Sequence, residues 1–320
     1  MTTRIQDFPF PFTQDSYEYT NNSTQLDPPR CVTMTSGYQT EIQLKRNLIQ
    51  EYPERCYRSF HHSIEAQWEI LKLIMSELAF YEPDHFSFRK KGKEFQFNNH
   101  ILEEEVRFTD RDLSSVDDEP LNLAGKHVQE DLILMGDRDG TLFLDAGQLC
   151  FPSNWSLAFV FGLDFKSIHT PVPRVNQTDF IDKVERFIKH IRPGMAWERK
   201  NWSVTITEKL DTPLETFPEW GKHRLEVTEE NVEELLHLRV EVQRLHRLPQ
   251  TNDVLFTIHT YLLSLKEMAT KKDWLTRFFR NIDTLPDDIS EYKGIAYYKN
   301  PLMNYLEKNV SKGWSHGRHK

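Results

Sequence analysis

The sequence predicts an α+β fold: a mostly antiparallel sheet with helices flanking it at the N- and C-terminal ends. Three observations carry this. The stretch "SIEAQWEILKLIMSELAFY" repeats apolar residues at three- and four-residue steps, the mark of a helix with a buried face. From residue 94 the period drops to two, in segments separated by turn residues. No P-loop or Gly-rich dinucleotide fingerprint breaks this order, and only 12 glycines are available to make one. Helices first, strands in the middle and helices last describe segregated elements rather than βαβ units.

Residues 1–38 are rich in Pro, Thr, Ser and Asn and lack periodicity, so an extended arm is expected there, wrapped on the domain through Phe8, Phe10 and Phe12. A helix over 40–52 is stopped by Pro53. The next helix carries the stripe Trp68, Leu71, Ile74, Met75 and Leu78, which reads as core. "EFQF" is a short strand. "VQEDLILM", the turn "GDRDG" and "TLFLDAGQLCF" make a hairpin reversed at Asp139-Gly140, a pair that tolerates positive φ. "FIDKVERFIKHI" is a short amphipathic helix ended by Pro193-Gly194. "NWSVTITEKL" alternates again. "LHLRVEVQRLHRL", "PQTND" and "VLFTIHTYLLSL" then form a second, longer hairpin, and "KEMATKKDWLTRFFRNI" and "NPLMNYLEKNV" are closing helices. The expected boundaries are an arm at 1–38, a single domain at 39–310 and a flexible tail at 311–320.

Composition narrows the function. With 38% hydrophobic and 28% charged residues in 320, the chain is an ordinary globular one. A net charge of -9 argues against a general nucleic-acid binder. No apolar stretch approaches the ~18 residues of a membrane span, and "MTTRIQDFPFPF" has no secretory signal pattern, so a cytoplasmic chain off the membrane is expected. Cys31, Cys56 and Cys150 are too few and too scattered for a disulfide framework, a zinc site or an iron–sulfur cluster.

The most informative stretch is "FPSNWSLAFVFGLDFKSIHTPVP". Its apolar residues, Phe161 among them, lead to a single histidine, His169, and Pro171 and Pro173 stiffen the chain after it. A fixed neutral imidazole beside an oily wall suits an axial haem ligand. The same pattern also serves a histidine capping an ordinary loop. In "LRVEVQRLHRLP" the alternation sets Arg239, Glu241 and Gln243 on one strand face, with Arg247 farther along the row. Arg239 or Arg247 could clamp a haem propionate and Glu241 a substrate cation, or the row could simply face water. "RKNWSV" puts Arg199 and Trp202 at the head of a strand, Trp202 being a candidate cofactor contact. His246 and His259 lie on the two arms of the long hairpin, without the short spacing of a metal site. "RKKGK" is a solvated turn or, as the densest basic run, a docking patch for an electron carrier.

Six segments in order, "VQEDLILM", "LCFPSNW", "IHTPVP", "RKNWSV", "LRVEVQRLHRLP" and "VLFTIHTYL", give the chain a resemblance to the α subunit of haem-dependent oxidative N-demethylase over residues 40 to 280. The resemblance implies a PAS-like haem domain that uses oxygen to demethylate a small dimethylamine-like amine, releasing formaldehyde. It implies electrons from NADPH through a separate flavin and iron–sulfur reductase, with neither flavin nor cluster in this chain. On that basis His169 is the expected iron ligand. Arg247, Phe161 and Trp202 are expected at the cofactor, and Glu241, Arg239 and Gln243 at the substrate. The chain departs from the pattern at His259, where an arginine is expected. The alternative is a haem or small-ligand PAS-type sensor without catalysis on the same scaffold.

Overall fold

The computed structural model describes residues 2–20, 22–174 and 179–315. Its strands are β1 (Thr24–Leu26), β2 (Tyr57–Ser59), β3 (Phe86–Lys91), β4 (Glu94–Asn99), β5 (Glu104–Thr109), β6 (Asp131–Arg138), β7 (Thr141–Gln148), β8 (Ala196–Thr205), β9 (His237–Arg247) and β10 (Val254–Ser264). Seven of them pair antiparallel in the order β1-β8-β9-β10-β6-β7-β2, and β3, β4 and β5 make a separate small sheet. The fold is α+β, as the sequence predicts.

Local chemistry accounts for the main elements. The β6–β7 hairpin reverses through Asp139 and Gly140, both at positive φ (52° and 80°), the conformation that Asp-Gly accepts readily. β9 and β10 pair along eleven residues each, from Arg247 opposite Val254 to His237 opposite Ser264. The helix Tyr38–Glu51 ends before Pro53, which itself starts a short helix, because proline is tolerated at the first helical position.

The large sheet is covered on both faces. On one, Leu132, Leu134 and Leu255 pack with Trp68, Leu71, Ile74, Met75 and Leu78 of the helix Ile64–Tyr81 and with Phe86 and Phe97 of the small sheet. Farther along that face, Leu238, Val240, Val242 and Leu263 meet Phe278 and Leu302 of the C-terminal helices. The other face presents Ile133, Met135, Leu142, Leu144, Leu245, Val254 and Ile258 to Leu157, Phe165, Ile181 and Ile188, which lie on short helices.

The arm is anchored where its phenylalanines point. Phe8 and Phe12 are buried in the C-terminal part of the core, and Phe10 stacks on Trp274 at 4.5 Å. β1 then pairs with β8 opposite residues 196–198. The expected tail begins as helix, since Lys299–Ser315 is continuous; residues 316–320 lie outside the described ones. "RKKGK" forms the end of β3 and its turn, exposed at Lys90, Lys91 and Lys93, on the small sheet.

Candidate functional site

Between the second face and its short helices lies a cavity of about 460 Å³, within the ~300–1,000 Å³ range of small-molecule and cofactor sites. Its inner walls are apolar: Ile133, Met135, Leu142 and Leu144 from β6 and β7, Leu245, Val254, Phe256 and Ile258 from β9 and β10, and Ile181, Val184 and Ile188 from the helix Phe180–Lys189.

The helix Phe165–His169 brings one imidazole to this wall. Asp164 starts it by accepting the amide N–H groups of Lys166 and Ser167, both at 3.0 Å. The preceding turn needs Gly162 at φ +79°, where the Phe60 ring also leaves little room for a side chain. At the last position of the helix, His169 Nδ1 lies 2.7 Å from the Phe165 carbonyl oxygen. A carbonyl only accepts, so Nδ1 carries the proton and Nε2 keeps the lone pair. Burial lowers the His169 pKa, which holds the ring neutral at pH 7. A cavity-lining imidazole with a fixed tautomer and its Nε2 lone pair available could hold a metal ion.

The cavity turns polar toward β8. This strand is paired with β1 only at residues 196–198, so the rest of its outer edge is free of the sheet. Arg199, Asn201 and Ser203 share its inward face, with Asn201 opposite Glu241 and Arg199 opposite Gln243 on β9. The buried Glu241 carboxylate accepts from Gln243 Nε2 at 3.0 Å and Asn201 Nδ2 at 3.3 Å. Around the free edge, Tyr17 and Tyr19 of the arm and Tyr292 and Lys293 close the cavity. Lys293 Nζ donates to the Trp202 carbonyl at 2.5 Å and stands 4.7 Å above the Trp202 ring. Burial, with Arg199 adding and Glu241 opposing, pulls its pKa down to about 8. Burial and the neighbouring Tyr19 push Tyr17 up to about 12.

Of the residues singled out from the sequence, His169, Arg199, Glu241 and Gln243 line this cavity together; Trp202 meets it at the edge of β8, its ring packing on the other sheet face against Phe12. Arg239 and Arg247 are not on its walls. Arg239 is buried at one end of the row, donating to the carbonyls of Leu210 and Phe151 at 2.9 and 2.6 Å. Arg247, at the other end, donates to Asn252, Ile188 and Lys189 carbonyls and so fastens the end of the helix Phe180–Lys189. Phe161 stacks on Phe60 at 4.3 Å, away from the cavity lining. His259 bonds Glu130 at 3.0 Å and, like His246, sits on the opposite sheet face. Among the described residues no cluster of three or more His, Cys, Asp or Glu is placed to hold a metal. Sequence reasoning missed Tyr17, Tyr19, Asn201, Tyr292 and Lys293. The alternation of "ERKNWS" contains a signal for Asn201; the others come from distant segments.

The model of the family described as haem-dependent oxidative N-demethylase, alpha subunit-like, matches residues 22–303. The chain belongs to this family. Its name carries haem dependence, N-demethylase-type oxidative chemistry and a role as one subunit among others. Among the described residues, no helix is long and apolar enough to cross a membrane.

The donor set fits the haem that this family requires. Besides the His169 lone pair and the apolar walls, Arg199, Arg224 and Lys293 line the cavity, and none has a carboxylate within 4 Å among the described residues. The Arg199 Nε and Trp220 Nε1 donors are buried without a hydrogen-bond partner. Three cations face one carboxylate, Glu241, and leaving such charge uncompensated is costly. A dianionic group such as the two haem propionates would balance it.

Proposed function

We propose that the chain is the haem-binding oxygenase component of an N-demethylase system, a PAS-like haem domain acting on a small methylated amine in the cytoplasm. The observation that carries this reading is His169, an imidazole held neutral and in one tautomer on the wall of an apolar cavity. When bound, haem supplies the activation of oxygen that lets an N-methyl group leave as formaldehyde. His169 would hold the iron through Nε2, and Arg199, with Arg224, would neutralise the propionates. Glu241 holds the amine as a cation, its buried carboxylate offering the counter-charge. Asn201 and Gln243 keep that carboxylate aimed by donating to the same oxygen, Oε2. The leucine and isoleucine walls exclude water, which strengthens these interactions.

Electrons come from NADPH through a separate flavin and iron–sulfur reductase; the alpha-subunit family name supports a partner subunit. The three cysteines of this chain are buried. The test is turnover with dimethylamine by the haem-loaded chain, NADPH and such a reductase. One formaldehyde per amine consumed supports the reading. Haem and amine binding without formaldehyde would turn it toward a sensor.

A further inference from the structure

We propose that Lys293 is the resident cation of the amine subsite, so that a cationic amine binds only as Lys293 gives up its proton. The inference deepens the proposed function and rests on its reading of Glu241 as the place where the amine is held.

Lys293 is a cation already standing in the cavity that holds Glu241, at the free edge of β8. Lys293 Nζ is within hydrogen-bond reach of the Trp202 carbonyl, and it stands over the Trp202 ring at cation–π distance. Asn201, the residue before Trp202 on β8, donates to Glu241 from within the same cavity. The carboxylate that would draw a small methylated ammonium is thus one whose charge already acts on Lys293. Lys293 has no carboxylate within 4 Å among the described residues, so no ion pair holds its charge there.

The other charged and titratable groups facing it are few. From β8 comes Arg199 and from β9 Glu241; from the arm come Tyr17 and Tyr19; Arg224 lies on the segment Gly221–Glu226, and Tyr292 is its own neighbour. The Arg174–Asp288 pair lies near the two arm tyrosines and is internally balanced. The tyrosines stay neutral at physiological pH, burial raising Tyr17, Tyr19 and Tyr292. A second cation arriving beside Glu241 therefore meets two that cannot leave, the arginines, and one that can change charge. Burial already draws Lys293 down to about 8, so its proton is the one that comes off. The balance is simple: the ammonium enters, and Lys293 passes one proton to solvent.

The experiment is calorimetric titration of dimethylammonium chloride into the haem-loaded chain, in phosphate and in Tris, which differ in ionisation enthalpy. At pH 7 the wild type should release close to one proton per amine bound. Its affinity should rise about tenfold per pH unit below the Lys293 pKa and level off above it. Lys293→Met should release no proton and bind about tenfold more tightly at pH 7, one unit below about 8. Lys293→Arg, which cannot lose its charge, should bind far more weakly at every pH. Amine binding by the wild type without proton release overturns the inference and leaves the amine site standing. No binding by the wild type or either variant overturns the amine site, and the inference with it.

Discussion

Replacing Glu241 by glutamine removes the one carboxylate on the cavity wall and keeps its shape. The fold should tolerate the change. The new amide oxygen still accepts from Asn201 or Gln243, and the neighbouring Arg239 keeps its bonds to the Leu210 and Phe151 carbonyls. Arg239 loses an ion-pair partner 3.6 Å away, but the charges of Asp131 and Asp211 still act on it. Amine binding should not tolerate it. At ~4 Å and an effective dielectric constant of ~20 the gross attraction is about 4 kcal/mol, and hydrogen bonds to charged groups contribute about 1.5–3 kcal/mol net. A loss of about 2 kcal/mol, roughly 30-fold in affinity, is expected. Glu241 also supports the protonated form of Lys293, so the comparison belongs at pH 8.5 or above, where Lys293 is largely neutral in both proteins. The assay is the amine-induced shift of the haem spectrum, with haem content measured in parallel. Unchanged haem content with an affinity within twofold of wild type would refute the placement of the amine at Glu241.

Arg199→Met should leave the melting temperature unchanged or raised, because the guanidinium Nε is buried without a partner and burial disfavours its charge; it should speed haem loss to an excess of apomyoglobin. An unchanged loss rate would separate Arg199 from the propionates. Stability should fall as pH drops from 6.5 toward 4, because burial lowers His127 and His246 to about 4 and the unfolded chain binds their protons first. Each shift is worth at most about 3 kcal/mol. Asp131, raised to about 6 by burial, works the other way: its contribution is present at low pH and is lost as pH rises through about 6. His246→Gln should therefore make the acid limb of a denaturation series shallower by one proton, and an identical limb would show that His246 is not the group responsible.

The sequence made the sheet's middle legible because its strands are long and their turns chemically explicit. Asp139-Gly140 and the eleven-residue alternation of β9 leave little choice of pairing. β1 and β2, three residues each, carry too short a pattern to recognise, and they exist because β8 and β7 offer them an edge. The site was legible in its direction rather than its extent. Alternation places Arg239, Glu241, Gln243 and Arg247 on one face, yet the strand is longer than the cavity. At one end the loops carrying Phe151 and Leu210 cover Arg239, and at the other the end of the helix Phe180–Lys189 covers Arg247. Arg239 and Arg247 looked like anion clamps because a one-dimensional pattern cannot show backbone carbonyls and the Asp137 carboxylate arriving from elsewhere. Lys293 was invisible for the same reason: it reaches Trp202 across 91 positions of sequence. His169 stood out because an oily run, one imidazole and two prolines fall within a single stretch.

The account rests most directly on His169 as the iron ligand. The decisive measurement is a haem titration followed in the Soret region, on the wild type and on His169→Ala, with circular dichroism to show that both are folded. The account predicts one haem per wild-type chain, and in the variant a shifted Soret band and markedly weaker binding, restored in part by added imidazole. An identical spectrum and affinity in the two folded proteins would contradict it.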